Sequence, residues 1–126
     1  MNQKNRAAAQ TAGWIVWWVE LVFFLIAAVV VLIVINHPQI LGPELVGYQI
    51  YTNIFAGLLI AWHVVVQVVT FIAIKNLRKN DNYLWPIMLI VLGFMGNVLY
   101  LIPGIWGLIT NSNDRVDNAQ GPKPVE

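Results

Sequence analysis

Three long apolar stretches make up most of this 126-residue chain, and they constrain its fold more than any other feature. The first covers residues 14–35, the second residues 50–74 and the third residues 84–102. A helix rises about 1.5 Å per residue, so stretches of about 20 residues can cross a hydrocarbon core about 30 Å thick. The sequence therefore predicts an all-α integral membrane protein in which three transmembrane helices form a small bundle.

The composition agrees with this class of protein. Apolar residues make up 59 % of the chain and charged residues only 10 %, whereas a soluble domain of this size needs more polar surface. A formal net charge of +1 without a basic patch argues against a nucleic-acid partner. There is no cysteine, which excludes disulfides, thiolate metal sites and a cysteine nucleophile.

The segments between the apolar stretches divide the chain into three parts. Residues 1–12 form a polar N-terminus, residues 13–110 the transmembrane domain, and residues 111–126 a polar tail that we expect to be flexible. The first stretch is longer than a signal-peptide core and lacks a small-residue cleavage pattern, so we interpret it as a retained helix. The connection after it contains Pro38, Gly42, Pro43 and Gly47, which favour turns.

The basic residues near the three stretches predict an orientation. With three crossings, the N-terminus and the second loop share one side of the membrane. That side holds five basic residues: Lys4, Arg6, Lys75, Arg78 and Lys79. The opposite side holds only Arg115 and Lys123, and its tail also carries acids. The positive-inside rule then predicts a multi-pass cell-membrane protein with a cytoplasmic N-terminus and a C-terminus outside.

A stripe that contains four polar residues runs along the second predicted helix. The polar residues are Asn53, His63, Gln67 and Thr70, and together with Ala56 and Ile60 they recur at steps of three and four. Residues with this spacing lie on one helical face. Because hydrogen-bonding groups are costly in hydrocarbon, we expect the stripe to face partner helices or a ligand.

Four polar residues inside the stretches are the candidate site residues. Counted from the cytoplasmic end, Glu20 and Gln67 lie about 10 to 12 Å deep, and His63 and Asn97 about 18 to 21 Å deep. The depths suggest an inner layer that pairs Glu20 with Gln67 and a central layer that pairs His63 with Asn97. Additivity of the effects of single and double mutations would argue against such contacts.

Each ionisable candidate has a functional and a structural interpretation. Glu20 can handle protons or cations, or it can be a buried carboxyl that binds a partner group. His63 can ligate haem, transfer protons or join a polar network. The other histidine, His37, lies at the far end of the first helix, so a bis-histidine haem would need a second subunit.

Small residues favour close helix packing at four positions. Gly57 and Ala61 have the small-x-x-x-small spacing on the second helix, and Gly93 and Gly96 lie on the third. We expect these four residues to serve packing alone.

Three functions fit these features. The first is a non-enzymatic accessory or assembly subunit of a membrane complex, or a homo-oligomer, whose partners are lipid and other membrane protein subunits or itself. The second is an anchor similar in layout to the haem- and quinone-binding subunits of respiratory enzymes. The third is a small proton- or cation-conducting oligomer. The sequence shows no phosphate-binding loop or paired carboxylates, so we predict no enzymatic activity, no metal and no bound cofactor.

Overall fold

The computed structural model describes residues 3–78 and 83–121, and all regular structure in them is helical. This confirms the all-α prediction. The helices, in chain order, are α1 (Gln3–Asn36), α2 (Gln49–Asn76), α3 (Leu84–Met95) and α4 (Leu101–Ala119). Short 3-10 turns cover Pro38–Leu41 and Pro43–Tyr48 between α1 and α2, and Val98–Tyr100 between α3 and α4.

Two helices in the described part of the chain, not three, are long and apolar enough to cross a membrane. These segments are Lys4–Asn36 and Val46–Asn76, which contain the first two predicted stretches. Both segments are apolar and lack internal proline, so no proline interrupts either helix, and Pro38 lies in the connection between them. Asn36 closes α1 by donating from its side-chain amide to the carbonyl of Leu32 at 2.7 Å.

The prediction of a third spanning helix over residues 84–102 is wrong. α3 has 12 residues, which reach about 18 Å and cannot cross a core about 30 Å thick. Gly96 ends the helix, and Asn97 adopts an extended backbone conformation. Pro103 lies in the first turn of α4, where its missing N–H costs no hydrogen bond.

Glycines allow α3 and α4 to pack closely as an antiparallel pair. A Cβ atom added to Gly93 would lie 2.9 Å from Leu101, and one added to Gly104 would lie 2.8 Å from Ile90. A Cβ atom on Gly107 would lie 3.3 Å from Pro86. The contacts advance along α4 as they go back along α3, which defines a helical hairpin.

The predicted flexible tail covers residues 111–126. In its described part, α4 continues through Ala119. Residues 122–126 lie outside the described residues. Asn111 and Asp114 are buried while Ser112 and Asn113 are exposed, so one face of this part of the helix is packed. Burial supplies stability that the local sequence, rich in Asn and Asp, does not.

The chain divides into two compact units. In its described residues, the first unit comprises residues 3–17, 69–78 and 83–121, and the second is Trp18–Val68. The core of the first unit is formed by six buried residues: Ala9, Ala73, Ile74, Leu77, Leu89 and Tyr100. Gly13 lies against Ile74 in this core, so α1 and α2 approach closely there.

Candidate functional site

The second unit contains a cleft between α1 and α2 that brings together two of the predicted site residues. Its main cavity has a volume of about 370 Å³. Eleven residues line it: Glu20, Phe23, Phe24, Ala27, Ala28 and Val31 of α1, and Phe55, Ala56, Leu59, Ile60 and His63 of α2. The volume lies within the range of about 300 to 1,000 Å³ that is typical of ligand pockets.

An aromatic contact sets the position of His63 in the cleft. Its imidazole stacks on the ring of Phe24, with the ring centroids 5.2 Å apart and the planes only 4° from parallel. Glu20 precedes Phe24 by four residues and therefore lies one turn away on the same face of α1. The carboxyl group and the imidazole thus lie toward the same end of the cavity.

A second cavity of about 150 Å³ continues the cleft toward the connection between the helices. The two cavities share Val31 and Ala56 as lining residues. Beyond them the walls are valines and Ile35, followed by Pro38 and the polar residues Gln49, Thr52 and Asn53. The cleft therefore has an apolar middle and polar groups at both ends.

The charge of the main cavity is one-sided. Nine of its eleven lining residues are apolar, and the other two are an acid and a histidine. No lysine or arginine lines it. Glu20 retains only 8 % exposure, while His63 is half-buried. Such a site can accept apolar groups together with a hydrogen-bonding or positively charged group.

The remaining polar candidates lie elsewhere. Gln67 is 6 % exposed and follows His63 by one turn on α2. The proposed pairing of Glu20 with Gln67 stays a prediction. Thr70, in the first unit, is fully buried, and its hydroxyl has no hydrogen-bond partner among the described residues.

Asn97 serves the turn between α3 and α4. Its side-chain oxygen accepts a hydrogen bond from the backbone N–H of Leu99 at 3.0 Å, and its carbonyl accepts one from Tyr100 at 3.0 Å. Asn97 therefore caps the segment that follows it. Its proposed pairing with His63 stays a prediction.

The four small residues have different surroundings. Gly57 and Ala61 are exposed on α2, and a Cβ atom added to Gly57 would meet nothing within 4 Å in the described chain. Gly93 is buried against Leu101. Gly96 is exposed at the end of α3. Within the described structure, only Gly93 of these four packs closely against another helix.

Polar contacts in the first unit were missed by the sequence analysis. Arg6 of α1 forms an ion pair with Asp114 of α4. The side-chain amide of Gln10 donates to the carbonyl of Ile74 at 3.0 Å. These partners are more than 60 residues apart in sequence, and no local spacing indicates such contacts.

The tryptophans of α1 also have specific partners. Trp14 and Trp17 both contact the ring of Phe71, with centroid distances of 5.2 and 5.7 Å. They are partly buried against the core of the first unit, while Trp18 is exposed. These aromatic contacts hold α1 against α2.

No group of three or more His, Asp or Glu residues in the described chain could hold a metal ion. Comparison with known protein families, curated protein sequences and solved structures finds no significant match to this chain.

Proposed function

We propose that this chain is an integral protein of the cell membrane that acts, without enzymatic activity, as a subunit of a membrane complex or of a homo-oligomer. The observation that carries the proposal is the exposure of large apolar side chains along both long helices. Phe23, Phe55 and Ile50 are 68 %, 64 % and 73 % exposed. Apolar surfaces of this extent need cover from lipid or from a protein partner.

The ion pair between Arg6 and Asp114 favours a particular topology. It joins the first turns of α1 to the last turns of α4. On this basis we propose that these two segments lie on the same side of the bilayer, as an alternative to the predicted C-terminus outside. With two crossings, all seven lysines and arginines fall on that side, and the connection between α1 and α2 has none. The positive-inside rule assigns that side to the cytoplasm.

The exposed small residues on α2 support a protein partner in addition to lipid. Gly57 and Ala61 are exposed, and a Cβ atom added to Gly57 would meet nothing within 4 Å in the described chain, so we propose that they form a shallow groove. Small residues at this spacing let the backbone of another helix approach closely. We expect the groove to contact a second copy or another subunit.

The oligomeric state of the purified chain in nanodiscs or mild detergent tests this proposal. We expect the native chain to form oligomers or to copurify with a membrane protein, and Gly57→Leu to weaken that association. Val29→Leu is the matched control, because Val29 is exposed on α1 and lines neither cavity. A chain that extracts from membranes with alkaline carbonate would contradict membrane insertion. A membrane-embedded monomer without partners would contradict the role as a subunit.

A further inference from the structure

We infer that the hairpin of α3 and α4 enters the membrane from the cytoplasmic side without crossing it. Its apex, residues 94–99, then lies in the hydrocarbon of the cytoplasmic leaflet, and its outer face contacts lipid acyl chains. This inference rests on the proposed crossings of α1 and α2. It assigns lipid contacts to a part of the chain that neither crossing requires.

The polarity of the hairpin changes from one end to the other. Phe94 and Val98 in the apex are 79 % and 66 % exposed. At the open end, the guanidinium group of Arg115 lies 4.5 Å from the centroid of the Tyr83 ring. Tyrosine rings are enriched at the border between lipid and water, and long cationic side chains reach that border. The apex therefore suits hydrocarbon, and the open end suits the membrane surface.

An apolar outer face connects the apex to the open end. Its exposed residues recur at steps of three or four on each helix, and they are Ile87, Val91 and Phe94 on α3 and Ile102, Ile105 and Ile109 on α4. This spacing places them on one side of each helix. Leu89 of α3 lies instead in the core of the first unit. Apolar surface of this extent needs cover, and lipid supplies it next to the lipid-facing sides proposed for α1 and α2.

The contacts of α4 show which way the hairpin points within the first unit. Asp114 pairs with Arg6, in the first turns of α1. A Cβ atom added to Gly107 would lie 3.4 Å from Leu77, just past the last turns of α2, which lie beside Gly13. Passing back along α4 therefore leads from the charged start of α1 toward its apolar stretch. The apex lies about 10 Å further in that direction, since seven residues of helix rise about 1.5 Å each.

The turn at the apex satisfies its own hydrogen bonds. Hydrocarbon offers no partners, so backbone polar groups have to be satisfied within the protein. The N–H of Gly96 donates to the carbonyl of Leu92, and that of Tyr100 donates to the carbonyl of Asn97, both at 3.0 Å. The N–H of Leu99 donates to the side-chain oxygen of Asn97 at 3.0 Å. The polar side chain of the apex is thus used inside the turn.

The depth of spin labels on the full chain in nanodiscs tests the inference. The chain contains no cysteine, so Phe94→Cys and Val98→Cys can each carry one nitroxide, and both positions are exposed. Oxygen concentrates in lipid, whereas a nickel chelate stays in water. We expect both apex labels to have a ratio of oxygen to nickel accessibility several-fold above that of Ser112→Cys. The ratio should approach that of Leu58→Cys, the matched control at an exposed position of α2 that lines neither cavity.

Other surroundings of the hairpin give distinct results. Apex labels as open to nickel as the label at Ser112→Cys would place the apex in water and would overturn the inference. Labels shielded from both oxygen and nickel would show cover by protein instead of lipid, and would overturn it as well. Leu58→Cys separates the two proposals. A label there that is open to nickel contradicts membrane insertion itself, whereas a lipid-exposed label there with apex labels in water contradicts only this inference.

Discussion

Gly104 and Gly57 are both helical glycines, but their surroundings predict opposite effects of adding a methyl group. A Cβ atom on Gly104 would lie 3.0 Å from the backbone nitrogen of Ile90 and 3.1 Å from the carbonyl oxygen of Pro86. Backbone atoms cannot move aside as a flexible side chain can. We expect Gly104→Ala to lower the free energy of unfolding by about 1–3 kcal/mol, as overpacking does. Denaturant titration in mixed micelles measures the change.

The control for this prediction is Gly57→Ala. Open space surrounds Gly57 in the described chain, and alanine favours helix over glycine by about 0.8–1 kcal/mol. We expect this variant to be as stable as the native chain or more stable. Equal stability losses in both variants would show that the close approach of α3 and α4 is not the reason why a methyl group at position 104 destabilises the chain.

Asn97 is a second residue whose role can be measured separately. Its side-chain oxygen accepts the hydrogen bond from Leu99 in the turn. We expect Asn97→Ala to destabilise the chain by about 0.5–2 kcal/mol, the usual effect of removing a cap. Asn97→Asp retains an acceptor oxygen and should be closer to native. If Asn97→Asp and Asn97→Ala were equally unstable, the capping role would be contradicted.

At the scale of helices, α4 is joined to α1 by the ion pair between Arg6 and Asp114. The two side chains are only 17 % and 9 % exposed. Hydrogen bonds to charged groups contribute about 1.5–3 kcal/mol, so we expect Arg6→Gln and Asp114→Asn each to cost that much. In the double variant the two losses should not add. Thermal unfolding of all three variants supplies the double-mutant cycle.

Arg78→Gln is the matched control for the ion pair, because Arg78 is exposed and lies just beyond α2. A surface substitution of this kind usually changes stability by less than about 0.5 kcal/mol. Additive losses in the Arg6 and Asp114 variants would show that the two residues contribute independently, and would remove the support for α4 lying against α1.

The helices also show how far local patterns determine this fold. The end of α1 and both ends of α2 were predicted to within a few residues, because long apolar runs admit few alternatives to a helix. The start of α1 was predicted too late in the chain. The prediction of a third spanning helix failed at Asn97. This residue was treated as a polar group within a helix, but it caps the turn between α3 and α4. Gly93, Gly104 and Gly107 serve close packing between α3 and α4, which are two helices rather than the one predicted.

The candidate site was predictable in its chemistry but not in its shape. Glu20 and His63 stand out in the sequence because ionisable groups are rare in apolar stretches. Phe55 and Leu59 line the same cavity, yet nothing distinguishes them from other apolar residues of α2. The width of a cleft depends on how two helices pack over their whole length, and no spacing within one helix encodes it.

For the whole molecule, the proposed topology places both ends of the chain on the cytoplasmic side. Three predicted crossings would instead put Ser112 outside. The chain contains no cysteine, so single substitutions can report the side of each position without removing native thiols. Asn5→Cys, Glu44→Cys and Ser112→Cys are suitable because all three residues are exposed.

We expect a membrane-impermeant maleimide, added to intact cells, to label only Glu44→Cys. Inverted membrane vesicles should give the opposite result, with labelling of Asn5→Cys and Ser112→Cys. The physical reason is that α3 is too short to cross the hydrocarbon core, and the ion pair to Arg6 holds α4 on the side from which α3 began. Labelling of Ser112→Cys from outside intact cells would restore a third crossing and would separate Asp114 from Arg6. Labelling of all three variants from one side would show that neither α1 nor α2 spans the membrane.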